Sequence, residues 1–166
     1  MISKSKLQTQ KFAIRLAKKI LRANRPEQSR GATVIALCGD LGAGKTTFAQ
    51  GFIKALGVKH HITSPTFVIF RKYHLSQKSK VKSPWLGRQK FFNVFHFDLY
   101  RIHRPKEILD LGFKKILQDP YAIVLIEWPE RIEKLLPKNI IKINFEHGKN
   151  VRQRRIRLLA EKRAYN

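Results

Sequence analysis

Val34-Ile35-Ala36-Leu37-Cys38 runs straight into Gly39-Asp40-Leu41-Gly42-Ala43-Gly44-Lys45-Thr46-Thr47. The first five residues are apolar and suit a strand, Gly39 to Thr46 fits GxxxxGK(S/T), and Phe48 to Leu56, closed by Gly57, reads as a helix. Strand, glycine loop and helix in that order have a chemical purpose. A loop wraps a polyphosphate only if its backbone N–H groups turn inward, and Gly39, Gly42 and Gly44 permit the φ values and close approach that a Cβ forbids. The helix behind the loop aims its positive end at the same anion. Lys45 adds a point charge for the β and γ phosphates, and the Thr46 hydroxyl is placed to complete a Mg²⁺ shell. The loop from Gly39 through Asp40, Leu41, Gly42, Ala43 and Gly44 to Lys45, Thr46 and Thr47 is thus the expected nucleotide-binding segment, a P-loop. Thr47 is open to two readings, an α-phosphate contact or an ordinary first-turn residue.

The 166 residues fit one domain, 1–166, large enough to bury a core without a disulfide or metal staple. Cys38 is the single cysteine, so no internal disulfide forms, and a small buried strand residue is its plain reading. The N-terminus has no apolar leader, and no apolar run is long enough to cross a bilayer, so a cytoplasmic protein is expected. Charge is the unusual quantity: 35 Lys and Arg against 11 Asp and Glu give +24. Such a surplus favours nucleic acid or anionic membrane, although a lysine-rich proteome gives the same number. Along the chain the charge is spread out, with Arg152, Arg154, Arg155 and Arg157 concentrated near the end.

Ser5 with Gln8 three residues on resembles a capping box, and Phe12, Ala13, Leu16, Ala17, Ile20 and Leu21 recur at helical spacing, which predicts a helix over 6–22. Val68 to Phe70 suits a strand. Before it, Ser64-Pro65-Thr66 is either a hydroxyl-bearing loop over a γ-phosphate or an ordinary Ser-Pro turn. Residues 76–90 are polar, basic and aperiodic, an inserted loop whose charges and Trp85 either meet RNA or sit at a solvated hairpin tip. In Phe91 to Arg101 the polar His96, Asp98 and Tyr100 alternate with Phe95, Phe97 and Leu99 along a strand. An Asp in line with a His suits water activation or ordering around a metal, and a salt bridge from Asp98 to Arg101 is the competing reading. Pro105 opens a helix over 106–111, Gly112 interrupts it, and a further turn runs to Leu117. Ala122 to Ile126 is continuously apolar, as in a strand buried on both faces, and ends in Glu127, the Walker B arrangement for Mg²⁺. Trp128 packs on a nucleotide or on Pro129. A short helix over 130–136 precedes an alternating strand from Ile141 and a last strand over 152–159, which close the chain as an antiparallel hairpin at the sheet's edge.

With these segments assembled, the chain resembles the TsaE (YjeE) family of bacterial P-loop ATPases from Thr9 to about Leu159. The resemblance rests on the glycine loop, Ser64-Pro65-Thr66, His96-Phe97-Asp98-Leu99-Tyr100-Arg101 and Ile126-Glu127-Trp128-Pro129, all in order. It implies an α/β, P-loop NTPase-like three-layer domain with a mixed, partly antiparallel sheet. It also implies an Mg²⁺-dependent ATPase that supports TsaB and TsaD partners as they attach threonylcarbamoyl to an adenosine beside the tRNA anticodon. Carried over by residue, Lys45 and Thr46 hold phosphate and Mg²⁺, Glu127 is the second metal-side ligand, and Asp98 orders the attacking water. Trp128 and Thr9 lie near the nucleotide, and Arg152 matches an arginine at the start of the last strand. The 76–90 segment is longer than the family's usual connection and the charge more positive, which leaves open a direct tRNA contact. The rival readings are a small P-loop kinase, which lacks here a clear arginine-bearing lid after Pro105, and a tRNA-binding protein with a relic P-loop.

Overall fold

The computed structural model describes residues 1–23, 31–58, 69–75, 91–150 and 152–160. Seven strands form one mixed sheet: β1 (Ile2–Ser3), β2 (Thr33–Gly39), β3 (Phe70–His74), β4 (Asn93–Asp98), β5 (Ala122–Glu127), β6 (Ile141–His147) and β7 (Arg154–Ala160). Their order is β1-β7-β6-β2-β5-β4-β3. The central β6, β2, β5 and β4 run parallel, and β3, β7 and β1 are antiparallel additions on the two flanks. Every residue of β5 is buried, which is why its sequence is a continuous apolar run instead of an alternation.

Helices cover both faces. α1 (Lys6–Ala23) and α2 (Lys45–Ala55) pack on one side, where Leu16, Ile20, Phe48 and Phe52 meet Leu37, Leu125 and Phe145. α3 (Pro105–Leu109), α4 (Phe113–Gln118) and a 3₁₀ segment (Pro129–Leu135) cover the other, where Ile108, Phe113 and Ile132 meet Ala36, Phe97, Val124 and Ile126. The three-layer mixed fold is thus the one the sequence implied. The Phe48 ring sits 5.8 Å from that of Phe12 and 5.6 Å from that of Phe145. Burying such a ring is worth about 2 kcal/mol, and here it ties the helix behind the glycine loop to both α1 and β6.

Several boundaries differ from the expectations. α2 begins at Lys45, three residues early, because Gly44 takes a left-handed φ of 103° as its N-cap and turns the loop directly into the helix. The predicted strand at Val68 begins at Phe70 among the described residues and extends to His74. β4 stops at Asp98, so Leu99 to Arg101 form a turn, and the last strand starts at Arg154, leaving Arg152 in the preceding turn. The closing hairpin is not the sheet's edge. Ile2 and Ser3 pair outside β7, a strand too short to leave a sequence signature. This pairing also modifies the capping box. Gln8 N–H donates to Ser5 Oγ at 3.2 Å, but the N–H that reaches back to Gln8 Oε1, at 2.7 Å, is that of Lys4. Ser3 Oγ, held by β1, bonds Ser5 O and Thr9 Oγ1 and sets that entry angle. Cys38 is half-buried, facing the α3 and α4 side, and burial raises its thiol pKa, with Glu130 adding to the effect. Ser64, Pro65, Thr66 and the 76–90 segment lie outside the described residues.

Candidate nucleotide and metal site

The C-terminal ends of β2, β5 and β4 lie side by side, with Leu37 opposite Glu127 and Glu127 opposite Asp98. Strand alternation turns His96, Asp98 and Glu127 to the face that carries α2, the face onto which the glycine loop folds. Gly39 ends β2 against β6 so closely that a Cβ there would stand 2.0 Å from Phe145 O, and its φ is 128°. That position therefore requires glycine.

Lys45 Nζ donates to Gly39 O and, at 2.8 Å, to Asp40 O, and lies 3.8 Å from the centroid of the Trp128 ring. Burial lowers its pKa, and Glu127, Glu130, Asp98 and Asp40 oppose that shift. Thr46 Oγ1 donates to Glu127 Oε2 at 2.8 Å. The other carboxylate oxygen, Oε1, is 2.8 Å from Nε2 of His96, and both side chains are buried. Asp98 Oδ1 accepts from the Tyr100 N–H at 3.3 Å. Trp128 is the one non-glycine residue with positive φ among those described, at 61°. A left-handed conformation costs it about 1–2 kcal/mol, and its ring lies against Lys45 and Tyr100. Lys45, Thr46, Asp98, Arg101, Glu127 and Trp128 line a cleft of about 300 Å³.

A second cleft, about 440 Å³, adjoins the first across Gly42, Gly44 and Thr47. Its other walls are Lys4, Ser5, Lys6 and Thr9 from the start of α1, and Arg152 and Arg154 from the far hairpin. Thr9 and Arg152, 143 positions apart in the sequence, thus face one space beside the loop. Arg154 Nε and Nη2 both donate to Gly42 O, at 3.2 and 3.0 Å, and His147 Nε2 lies 3.1 Å from Leu41 O. The hairpin therefore fastens the tip of the loop. Of the remaining loop residues expected to meet the nucleotide, Ala43 is buried, whereas Asp40 and Leu41 are exposed. Arg154 and His147 were not singled out for the site, since nothing local in the sequence marks a residue as reaching a loop a hundred positions away. His96 was noticed, but its bond to Glu127 was not foreseeable.

The donor set fits Mg²⁺. No group of three or more His, Cys, Asp and Glu that could hold a metal occurs among the described residues, which disfavours an all-protein cage for zinc or calcium. One carboxylate oxygen beside one hydroxyl suits a small hard cation that takes its remaining ligands from phosphate and water.

A glycine loop joining a parallel strand to a helix, with a lysine at its close and a hydroxyl meeting a carboxylate from the adjacent strand, defines the P-loop class of phosphate-binding proteins. Within that class, the family model for threonylcarbamoyl adenosine biosynthesis protein TsaE matches residues 3–156, and the chain belongs to this family. Two relatives, both called tRNA threonylcarbamoyladenosine biosynthesis protein TsaE, illustrate the range. That of Rickettsia felis is 36% identical over 133 residues, 80% of this chain and 66% of that protein. That of Haemophilus influenzae is 30% identical over 148 residues, 89% of this chain and 83% of that protein. The chain spans about two thirds of the length of the first Rickettsia relatives it matches. Its fold is shared with the crystal structure of Bacillus subtilis YdiB, with a TM-score of 0.67, 24% identity and coverage of 96% of this chain and 83% of that one. No helix among the described residues is long and apolar enough to cross a membrane.

Proposed function

We propose that this chain is an Mg²⁺-dependent ATPase that works in the cytoplasm with TsaB- and TsaD-type partners in threonylcarbamoyladenosine modification of tRNA. The observation that carries the reading is the 2.8 Å contact between Thr46 Oγ1 and Glu127 Oε2, with Lys45 Nζ beside them. Residues 81 positions apart thus meet where, in this reading, the nucleotide's metal would be held. In this reading Lys45 exchanges the carbonyls of Gly39 and Asp40 for β and γ phosphate oxygens. Thr46 and Glu127 hold the cation, and His96 fixes which Glu127 oxygen is presented. Mg²⁺, when bound, neutralises charge on the phosphates. Asp98, at the end of the neighbouring strand, orients the attacking water, while Thr9 and Arg152 border the space for the nucleoside. Transfer of a phosphoryl group to water needs mainly alignment and charge neutralisation, so hydrolysis by the isolated chain should be slow and should accelerate on assembly. Phosphate release measured with and without the TsaB and TsaD proteins tests this. Equal rates would remove the partner-triggered reading.

A further inference from the structure

Charge that looks dispersed along the sequence is sorted by the fold. Residues 1–23 carry Lys4, Lys6, Lys11, Arg15, Lys18, Lys19 and Arg22, all exposed, and no Asp or Glu. Packed against them, α2 adds the exposed Lys54 and again no acid. On the opposite layer the bases Lys106, Lys114, Lys115, Arg131 and Lys134 are interspersed with Glu107, Asp110, Asp119, Glu130 and Glu133. Among the described residues, the helices on one face are therefore cationic without acids and those on the other are mixed. Within the cationic face, Lys11, Arg15, Lys18 and Arg22 recur every three or four residues, a single stripe about 16 Å long. Among the described residues, Arg15, Lys18, Lys19 and Arg22 line a shallow groove of about 350 Å³. The face continues at the start of α1 into Lys4, Lys6, Arg152 and Arg154 of the second cleft.

We propose that the α1 stripe is a docking surface for the phosphate backbone of RNA, next to the nucleotide cleft. Two observations choose this occupant. An amphipathic helix that lies in a membrane needs an apolar face to insert, and that of α1 (Ala13, Leu16, Ala17, Ile20) is buried in the core. A protein partner is held by aromatic or aliphatic anchor pockets at the centre of its footprint, and the described residues that line this groove are four basic side chains, whose methylene stems lie along it and whose charged heads are the only polar groups they offer. RNA is chosen over DNA because the family acts in tRNA modification. The proposal does not rest on the ATPase reading.

The experiment measures binding of a fluorescently labelled, unmodified tRNA transcript by anisotropy between about 50 and 200 mM KCl. Each phosphate contact contributes about 0.9 to the slope of log affinity against log salt, so changing Arg15, Lys18, Lys19 and Arg22 together to Gln should flatten the slope by about 3 to 4. The advantage of the native chain over this variant should then shrink by about 100-fold across that salt range. Gln favours a helix nearly as well as Lys, and binding of a fluorescent ATP analogue should be unchanged. The pair Arg15→Gln and Lys18→Gln should flatten the slope by half as much, a graded effect that misfolding does not produce. On the other layer, Lys106→Gln, Lys114→Gln and Lys115→Gln together should leave the slope as it was. Failure of the native chain to bind tRNA, or an unaltered slope in the fourfold variant, would overturn the proposal. So would loss of binding to phosphatidylserine vesicles by that variant while its tRNA slope stays native.

Discussion

The two clefts on either side of the glycine loop are built in opposite ways. The one around Lys45, Thr46, Asp98, Glu127 and Trp128 is made at the ends of neighbouring parallel strands. Its key atoms are buried and bonded to one another, in the chain from His96 through Glu127 to Thr46. The one around Lys4, Thr9, Arg152 and Arg154 joins the start of α1 to the β6–β7 hairpin, with Lys4 and Arg152 exposed, Arg154 half-buried and Thr9 buried. Strand ends in a packed sheet fix side chains within a fraction of an ångström, as cation and water positioning requires, whereas exposed arginines and lysines supply charge without tight geometry. The difference suggests a division of labour, chemistry in the first cleft and nucleotide affinity shared with the second.

Substitutions test that division, and the largest effect is expected in the first cleft. Asp98→Ala should lower turnover by about 1,000-fold and leave the nucleotide Kd nearly unchanged. Loss of binding instead would make Asp98 a structural residue. Next, Lys45→Ala should weaken nucleotide binding by about 100-fold, the loss of charge-assisted hydrogen bonds worth about 3 kcal/mol, read by titration with a fluorescent analogue. Because burial lowers the Lys45 pKa, the native chain should lose affinity as pH rises, with a midpoint below the ordinary lysine value of about 10.4. The ammonium is the binding form, so affinity is complete on the acid side of that midpoint and reduced above it.

A smaller effect separates positioning from direct contact. His96→Leu should raise the Mg²⁺ concentration for half-maximal turnover by about 10-fold, because Glu127 loses the partner that orients it, and His96→Gln should recover part of the loss. An unchanged Mg²⁺ requirement would confine His96 to packing. The smallest effect belongs to the second cleft. Arg154→Gln removes both bonds to Gly42 O, and since those bonds lie at the surface, although the residue is half-buried, the cost in nucleotide affinity should be only about 3-fold, with turnover of bound ATP preserved. A 100-fold loss there would show that the hairpin, not the strand ends, holds the nucleotide, and would erase the contrast.

Legibility in the sequence follows the same line. Glu127 could be read because a strand buried on both faces leaves an unbroken apolar run, and the acid that ends it stands out. The glycine loop was legible because its φ requirements admit few residues other than Gly. Thr9 and Arg152 came only from family likeness, since a turn residue and a helical threonine carry no local mark of their neighbours. Arg154 escaped entirely, and so did β1, two residues long and defined only by its partner on β7.

Sequence alone pointed to the order of the elements other than β1, the glycine loop and the acid on the neighbouring strand, because each depends on backbone conformation and burial patterns that neighbouring residues specify. Only the folded chain decided that α1 and α2 share one face, that the start of α1 and the β6–β7 hairpin meet at the second cleft, and that the described basic residues of α1 gather on one side. Those outcomes depend on how strands order themselves in the sheet and on which side each crossover passes, and such pairing is fixed by contacts between residues far apart in the chain.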